Sequence, residues 1–339
     1  MILPCKRMIN ITRKLKELNY KLIEWQKRKK RNILFGYPYW LTIDPTNLCN
    51  LECRFCPTGQ KRGSRPQEIM TIKRFKSIMN KIGRFLLYVE FCNWGEPLLN
   101  KSILEMIAVA KKYKARTFVS TNLNIQMTQE YAEQLVLSGL DRMTISLDGA
   151  SQETYEIYRK NGKFDLVLNN IKMLAAAKRK LNSKTPHLHW QFLVFKHNEH
   201  EIERARKMAV ESGVNDIGFT APFCAPDWVS SIDEYNNYIV RDNDKAVSFK
   251  HAETKLCNWL WDAVTINADG SISPCCSVED KKDDFEMYSA WKPFFFIWNS
   301  KNYRTARKYV AEKHKCGKEN ICTKCDHIGA SNHREISYE

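Results

Sequence analysis

The sequence predicts an α/β fold: a partial (β/α)6 TIM-type barrel followed by a cysteine-rich module. From Leu41 onward, short β-branched or aromatic runs alternate with longer amphipathic segments, the pattern of strand-helix units on a parallel sheet. This pattern breaks after Thr220, in a loop containing Pro222 and Pro226. The twelve cysteines also divide the chain: three fall within residues 49 to 56 and six between Cys257 and Cys325, with Cys5, Cys92 and Cys224 apart.

Six strands are expected, at Tyr39 to Ile43, Leu86 to Phe91, Arg116 to Val119, Arg142 to Leu147, Leu188 to Phe195 and Asp216 to Thr220. Helical spacing fills the gaps at Thr71 to Ile82, Ser102 to Tyr113, Thr128 to Ser138, Phe164 to Leu181 and Glu199 to Ser212, with Thr or Ser at the first positions as caps. Gly139 and Gly213 follow two of these helices as stops. Right-handed units of this kind curl into a barrel whose functional groups collect at the carboxyl ends of the strands. Beyond the barrel, Ala263 to Ile266 and Ser271 to Ser273 flank an Asp-Gly turn and read as a hairpin, and Lys301 to His314 as a helix. The expected organisation is an extension over 1–37, the barrel over 38–220, a linker over 221–256 and the cysteine-rich module over 257–339.

Composition narrows the function classes. With 43% hydrophobic and 27% charged residues the chain reads as a folded domain, and no apolar run approaches the ~18 residues needed to span a bilayer. No signal-peptide pattern opens it, so a cytoplasmic setting is expected, where clustered cysteines serve as metal ligands or reactive thiols rather than disulfides. Of the net +16, residues 1–35 carry eleven Lys or Arg against two Glu. There Ile11, Leu15, Leu18, Leu22 and Trp25 mark one apolar helical face. This face is expected to pack on the barrel, with peripheral contact to an anionic membrane surface as the alternative.

The segment from Pro45 to Pro57 places Cys49, Cys53 and Cys56 in a C-x3-C-x2-C spacing just past the first strand, with aromatic Phe55 before the last cysteine. Three thiolates are one short of the four that usually hold a 4Fe-4S cluster. This loop resembles that of the radical S-adenosylmethionine (SAM) superfamily. The resemblance implies that the spare iron binds SAM. It extends, in sequence order, to Gly95, Glu96 and Pro97 after the second strand, Ser120 and Asn122 at the end of the third, Ser146 and Asp148 at the end of the fourth, and Arg159 in the helix beyond. By resemblance the Gly-Glu-Pro element receives the SAM amino group and Arg159 faces its carboxylate.

Cys257, Gly270 and Cys275 form C-x12-G-x4-C, and Cys322 and Cys325 a closing C-x2-C pair. A hairpin turning at Gly270 returns Cys275 toward Cys257. This region resembles the SPASM extension of a subset of radical SAM enzymes, which implies one auxiliary 4Fe-4S cluster on those four cysteines. Cys276 and Cys316 are spares, and Cys316 is an alternative ligand. The alternative for this module is a zinc ribbon, since thiolate softness alone does not separate zinc from iron-sulfur, and the rival reading of the whole chain is a zinc-containing nucleic-acid-binding protein, motivated by the +16 charge and the paired cysteines. Nucleic acid is not expected as a partner under the leading reading.

The resemblance implies reductive cleavage of SAM to a 5′-deoxyadenosyl radical, with the electron from an external donor such as flavodoxin or ferredoxin. The radical would take hydrogen from a peptide or a carbohydrate, the latter lipid-linked if residues 1–35 meet a membrane, leading to oxidation, epimerisation or cross-linking. Cys92, ending the second strand, and Cys224, beyond the sixth, are the candidate thiols to return a hydrogen atom. The aromatic-rich run from Trp190 to Asn198 reads first as core, with Gln191, Lys196, His197 and Asn198 as the candidates to line a substrate mouth.

Overall fold

The computed structural model describes residues 6–236, 238–240, 247–249, 256–312 and 319–325. Side chains of 6–11, 238–240 and 247–249 are not among those described, and Cys5 and Cys316 lie outside the described residues.

The first described element is helix α1 (Lys6–Arg28), after which strand and helix alternate. The order is β1 (Trp40–Ile43), α2 (Ile72–Ile82), β2 (Tyr88–Phe91), α3 (Ile103–Lys112), β3 (Arg116–Thr121), α4 (Gln129–Leu137), β4 (Arg142–Ser146), α5 (Gln152–Tyr158), α6 (Phe164–Lys180), β5 (His187–Leu193), α7 (Ile202–Ser212) and β6 (Asp216–Thr220). A short antiparallel pair follows, β7 (Tyr238–Val240) with β8 (Val247–Phe249). Next come α8 (Trp259–Asp262), β9 (Ala263–Ile266), β10 (Ser271–Ser273), β11 (Glu286–Met287), α9 (Phe294–Trp298) and α10 (Lys301–Ala311). All six predicted barrel strands are present. Helix α5 is the helix expected after the fourth strand, capped by Ser151, whose hydroxyl accepts from the Thr154 N–H, and Arg159 follows it as the carboxyl cap. Thr71 and Thr128 cap as expected, whereas Ser102 makes no side-chain cap bond.

The six barrel strands are parallel neighbours in chain order, and the sheet stays open. Outward residues such as Leu41, Ile43, Val89, Phe91, Ile145 and Trp190 are fully buried under the helices. Alternation turns Thr42, Glu90, Ser120, Thr144 and Gln191 to the other face, the concave wall of the barrel. The carboxyl-terminal module is continuous with this sheet. β9 pairs in parallel with β1 on the side away from β2, and the hairpin β9–β10 turns at Gly270, whose φ of +88° suits a residue without Cβ. The result is one nine-stranded sheet, in the order β11-β10-β9-β1-β2-β3-β4-β5-β6.

Helix α1 lies across the amino-terminal ends of the strands. Lys16 Nζ donates to the carbonyls of Leu86 and Lys114, just before β2 and β3, and Lys27 Nζ pairs with Asp262 just before β9 at 2.8 Å. Asn19 exchanges hydrogen bonds with the Tyr37 backbone at 2.8 and 2.9 Å. The expected packing of α1 on the barrel is therefore present, but through Lys16, Asn19, Ile23 and Gln26; Leu18, Leu22 and Trp25 of the apolar face are exposed. The carbonyls at the strand starts need donors, and Lys16 supplies them where a leucine would not.

Candidate functional site

The loop after β1 is held by a backbone match that tolerates no side chain. A Cβ on Gly95 would lie 1.8 Å from the Thr46 carbonyl oxygen, and one on Gly59 would lie 2.6 Å from the Cys53 nitrogen. Glu96 N–H donates to the Leu48 carbonyl at 2.8 Å, so the element after β2 is laid directly on the cysteine loop.

The buried Glu96 carboxylate is a hub. One oxygen accepts from Leu98 N–H at 3.0 Å and Thr121 Oγ at 2.6 Å, the other from Asn122 N–H at 2.7 Å. It thereby ties the β2 loop to the end of β3. Pro97 starts a short 3-10 turn, where its fixed φ fits and its missing N–H is not needed. Asn122 Nδ2 in turn points at Cys49 Sγ, 3.7 Å away, and donates to Asn50 at 3.0 Å.

From the other side, Asp148 is fully buried after β4, with one oxygen accepting from Leu193 N–H at 2.7 Å and the other from Arg159 Nε. Arg159, at the carboxyl cap of α5, carries Nη1 to 3.7 Å from Cys53 Sγ and lies over the Tyr158 ring. Burial works against the guanidinium charge, but Asp148 and then Cys53 outweigh it and hold Arg159 well above its ordinary value. The neighbouring loop backbone docks here too, Glu52 and Arg54 N–H donating to the Lys160 and Tyr158 carbonyls. Phe55 stacks on Tyr158 and meets Trp228 edge-on at 5.1 Å.

The structure thus brings Cys49, Cys53, Cys56, Phe55, Gly95, Glu96, Pro97, Asn122, Asp148 and Arg159 to one rim. Ser120 and the buried Ser146 lie on the concave wall by register with Thr144 and Gln191. Cys224 packs into the apolar cluster of Leu51, Cys53, Tyr158 and Phe195 that backs the loop. Cys92 instead faces Glu90 and Cys276, and burial, with Glu90 next, pushes its thiol well up. Asn198 departs from expectation. It is fully buried, donating to the Asp148 and Leu193 carbonyls at 3.0 Å each and accepting from Phe195 N–H, so it braces β5 rather than lining a mouth. Lys196 is exposed, and His197 lies between Phe195 and Trp228.

Burial pushes the Cys49 thiol up to about 11 and raises Cys53, so a thiolate there needs a cation to stabilise it. Three thiols in a fixed loop, two of them met by Asn122 and Arg159, fit a cluster with one iron left open. The second set fits as well. Burial and then Cys275 raise Cys257 to about 12, and Cys322 is raised by burial followed by Cys257, Cys275 and Cys325, so these four are electrostatic neighbours. Among the described residues no three His, Cys, Asp or Glu side chains converge as a single-ion site.

Several residues of the site carry no local signal. Arg65 in the cysteine loop makes a two-pronged pair with Asp284, both contacts 2.6 Å and both side chains 7% exposed, and Trp94 Nε1 donates to Val278 at 3.1 Å. These tie the loops after β1 and β2 to the second module across more than 180 residues. Asn124 and Trp228 likewise carry none, although the polar run from Ser120 to Asn124 at a strand end is a usable hint for Asn124.

Residues 43–209 match the family model of the radical SAM superfamily, and residues 257–326 that of an iron-sulfur cluster-binding domain, SPASM. Mycofactocin maturase MftC of Mycobacterium tuberculosis is 29% identical over 140 residues, 41% of this chain. That stretch covers 35% of the maturase, so this chain matches about a third of its length. The fold is similar to SuiB of Streptococcus suis bound to S-adenosylmethionine, with a TM-score of 0.62 at 16% identity, covering 84% of this chain and 70% of that one. SuiB bound to the precursor peptide SuiA gives 0.59 at 16% identity, covering 83% and 69%.

Proposed function

The chain belongs to the radical SAM superfamily and carries a SPASM iron-sulfur domain, and from that premise we propose that it is a peptide-modifying enzyme abstracting hydrogen from its substrate. The observation that carries the chemistry is the convergence of Arg159 and Asn122 on two of the three loop thiols. Cys49, Cys53 and Cys56 would hold the SAM-binding 4Fe-4S cluster, and Cys257, Cys275, Cys322 and Cys325 the auxiliary one. Together with SAM, the first cluster supplies reductive cleavage to methionine and a 5′-deoxyadenosyl radical.

The protein's own part is orientation and exclusion of water. Asp148 fixes Arg159, whose guanidinium is the cation available to a SAM carboxylate. Glu96 spends its carboxylate on Thr121, Leu98 and Asn122, so the Gly95–Pro97 element meets an amino group with its backbone. Phe55, Tyr158 and Trp228 shield the loop on its outer side. Ser120, Ser146 and Gln191 are placed on the wall to hydrogen-bond SAM or substrate.

A peptide substrate is supported by the likeness to a maturase and to a fold neighbour whose structure holds a precursor peptide. The polar concave wall, with Glu90, Thr144 and Gln191, favours carbohydrate as the second reading. The test is anaerobic reconstitution with iron and sulfide, then reduction in the presence of SAM. Expected are bound iron and sulfide and release of 5′-deoxyadenosine; a colourless protein retaining only zinc would overturn the proposal. Deuterium transfer into 5′-deoxyadenosine from labelled peptide, and none from labelled sugar, distinguishes the two substrates.

A further inference from the structure

The outward face of α1 pairs two features that seldom share a soluble surface. Leu18, Leu22 and Trp25 are 65%, 36% and 49% exposed, and on a helix of ~100° per residue they fall within an arc of about 60°. Lys14, Lys21 and Arg28, all exposed, occupy the adjoining arc. Arg13, Lys29 and Arg31 extend the basic rim, and Arg31 lies 6.0 Å above the Trp25 ring. Against these stands one exposed carboxylate, Glu17, paired with Lys21. The chain beyond the helix adds Ile33 and Phe35, 40% and 69% exposed, where it returns alongside α1 through Gln26 to Gly36 and Asn19 to Tyr37.

The orientation is fixed by the buried face. Lys16 on the strand-start carbonyls, Lys27 on Asp262 and Asn19 on Tyr37 are specific contacts that a rotation of α1 would break. The apolar stripe is therefore held outward by the polar side of the helix.

We propose that this face docks on an anionic lipid bilayer surface, with Leu18, Leu22, Trp25 and Phe35 entering the headgroup region and the flanking Lys and Arg meeting lipid phosphates. Apolar residues edged by cations, with an aromatic at the border, match such an interface in charge and polarity. α1 crosses the amino-terminal ends of the strands, whereas the cysteine loops follow their carboxyl ends. Docking by α1 thus turns the catalytic rim away from the bilayer, and the substrate arrives from the aqueous side. This reading is independent of the substrate named above.

Flotation of the full chain with vesicles of phosphatidylcholine containing about 30% phosphatidylglycerol tests it. Expected is co-flotation that drops at least about tenfold when Leu18→Ser, Leu22→Ser and Trp25→Ser are combined, and that weakens at high salt or with phosphatidylcholine alone. These side chains are outside the site, so the variant should keep its melting temperature and 5′-deoxyadenosine yield. Failure of the unaltered chain to float, or flotation unchanged in the triple variant, would overturn the proposal. So would a dimer that the triple variant dissociates without any vesicle binding, which would assign the stripe to a second copy.

Discussion

Arg159 Nη1 sits 3.7 Å from Cys53 Sγ while its Nε donates to Asp148, so a single side chain joins the end of β4 to the middle thiol of the loop after β1. Asp148 is completely buried and the Arg159 side chain is 14% exposed. Asp148→Asn should cost about 3 kcal/mol in urea unfolding, because it leaves the guanidinium without its counter-charge. It should also slow 5′-deoxyadenosine formation more than tenfold. Adding Arg159→Met should return part of the stability but none of the activity, which separates the structural from the functional loss.

Gly95→Ala should detach the cysteine loop. The 1.8 Å approach of its Cβ to the Thr46 oxygen requires the backbone to move. Reconstituted protein should then retain iron on the second module and lose it from the first, as read by iron content and Mössbauer spectra.

Burial, followed by the nearby charge of Lys111, lowers Lys16 from 10.5 to about 8. Between those values the unfolded chain keeps the proton that the folded chain has released. Stability should therefore rise with pH across that window, by at most about 3 kcal/mol from this group. Lys16→Met should abolish this component, seen as the difference between the two proteins' denaturation midpoints from pH 7.5 to about 11.

Cys322→Ser combined with Cys325→Ser should remove about half of the bound iron while SAM cleavage persists. Cys276→Ser should leave the iron content intact. Loss of iron from the latter would make Cys276 a ligand.

The Cys92 thiol, whose ordinary value already lies above neutral pH and is pushed higher by burial, holds an S–H bond able to give up a hydrogen atom. Cys224 is the rival, packed behind the cluster loop. If either returns hydrogen to the substrate, its replacement by Ala should leave 5′-deoxyadenosine formation intact and abolish inversion at the substrate carbon. Unchanged product in both variants would remove the thiol role.

Features that rest on local periodicity and spacing are legible in the amino-acid order alone. Strand alternation and helix spacing located all six barrel strands. Cys257, Cys275, Cys322 and Cys325 are brought near one another only by the fold, whereas the first three cysteines had to lie together because a loop of eight residues cannot carry its ligands far apart. The Asp-Gly turn located the hairpin for the same reason. Relations made across the fold leave no such local trace: Glu96 holding Asn122, Arg65 clasping Asp284, and β9 joining β1 to make one sheet. Which side of α1 faces the protein is likewise set by the fold. An apolar stripe predicts burial only when nothing better fills the contact. Here the strand-start carbonyls called for donors, so Lys16 went inward and Leu18, Leu22 and Trp25 were left outside.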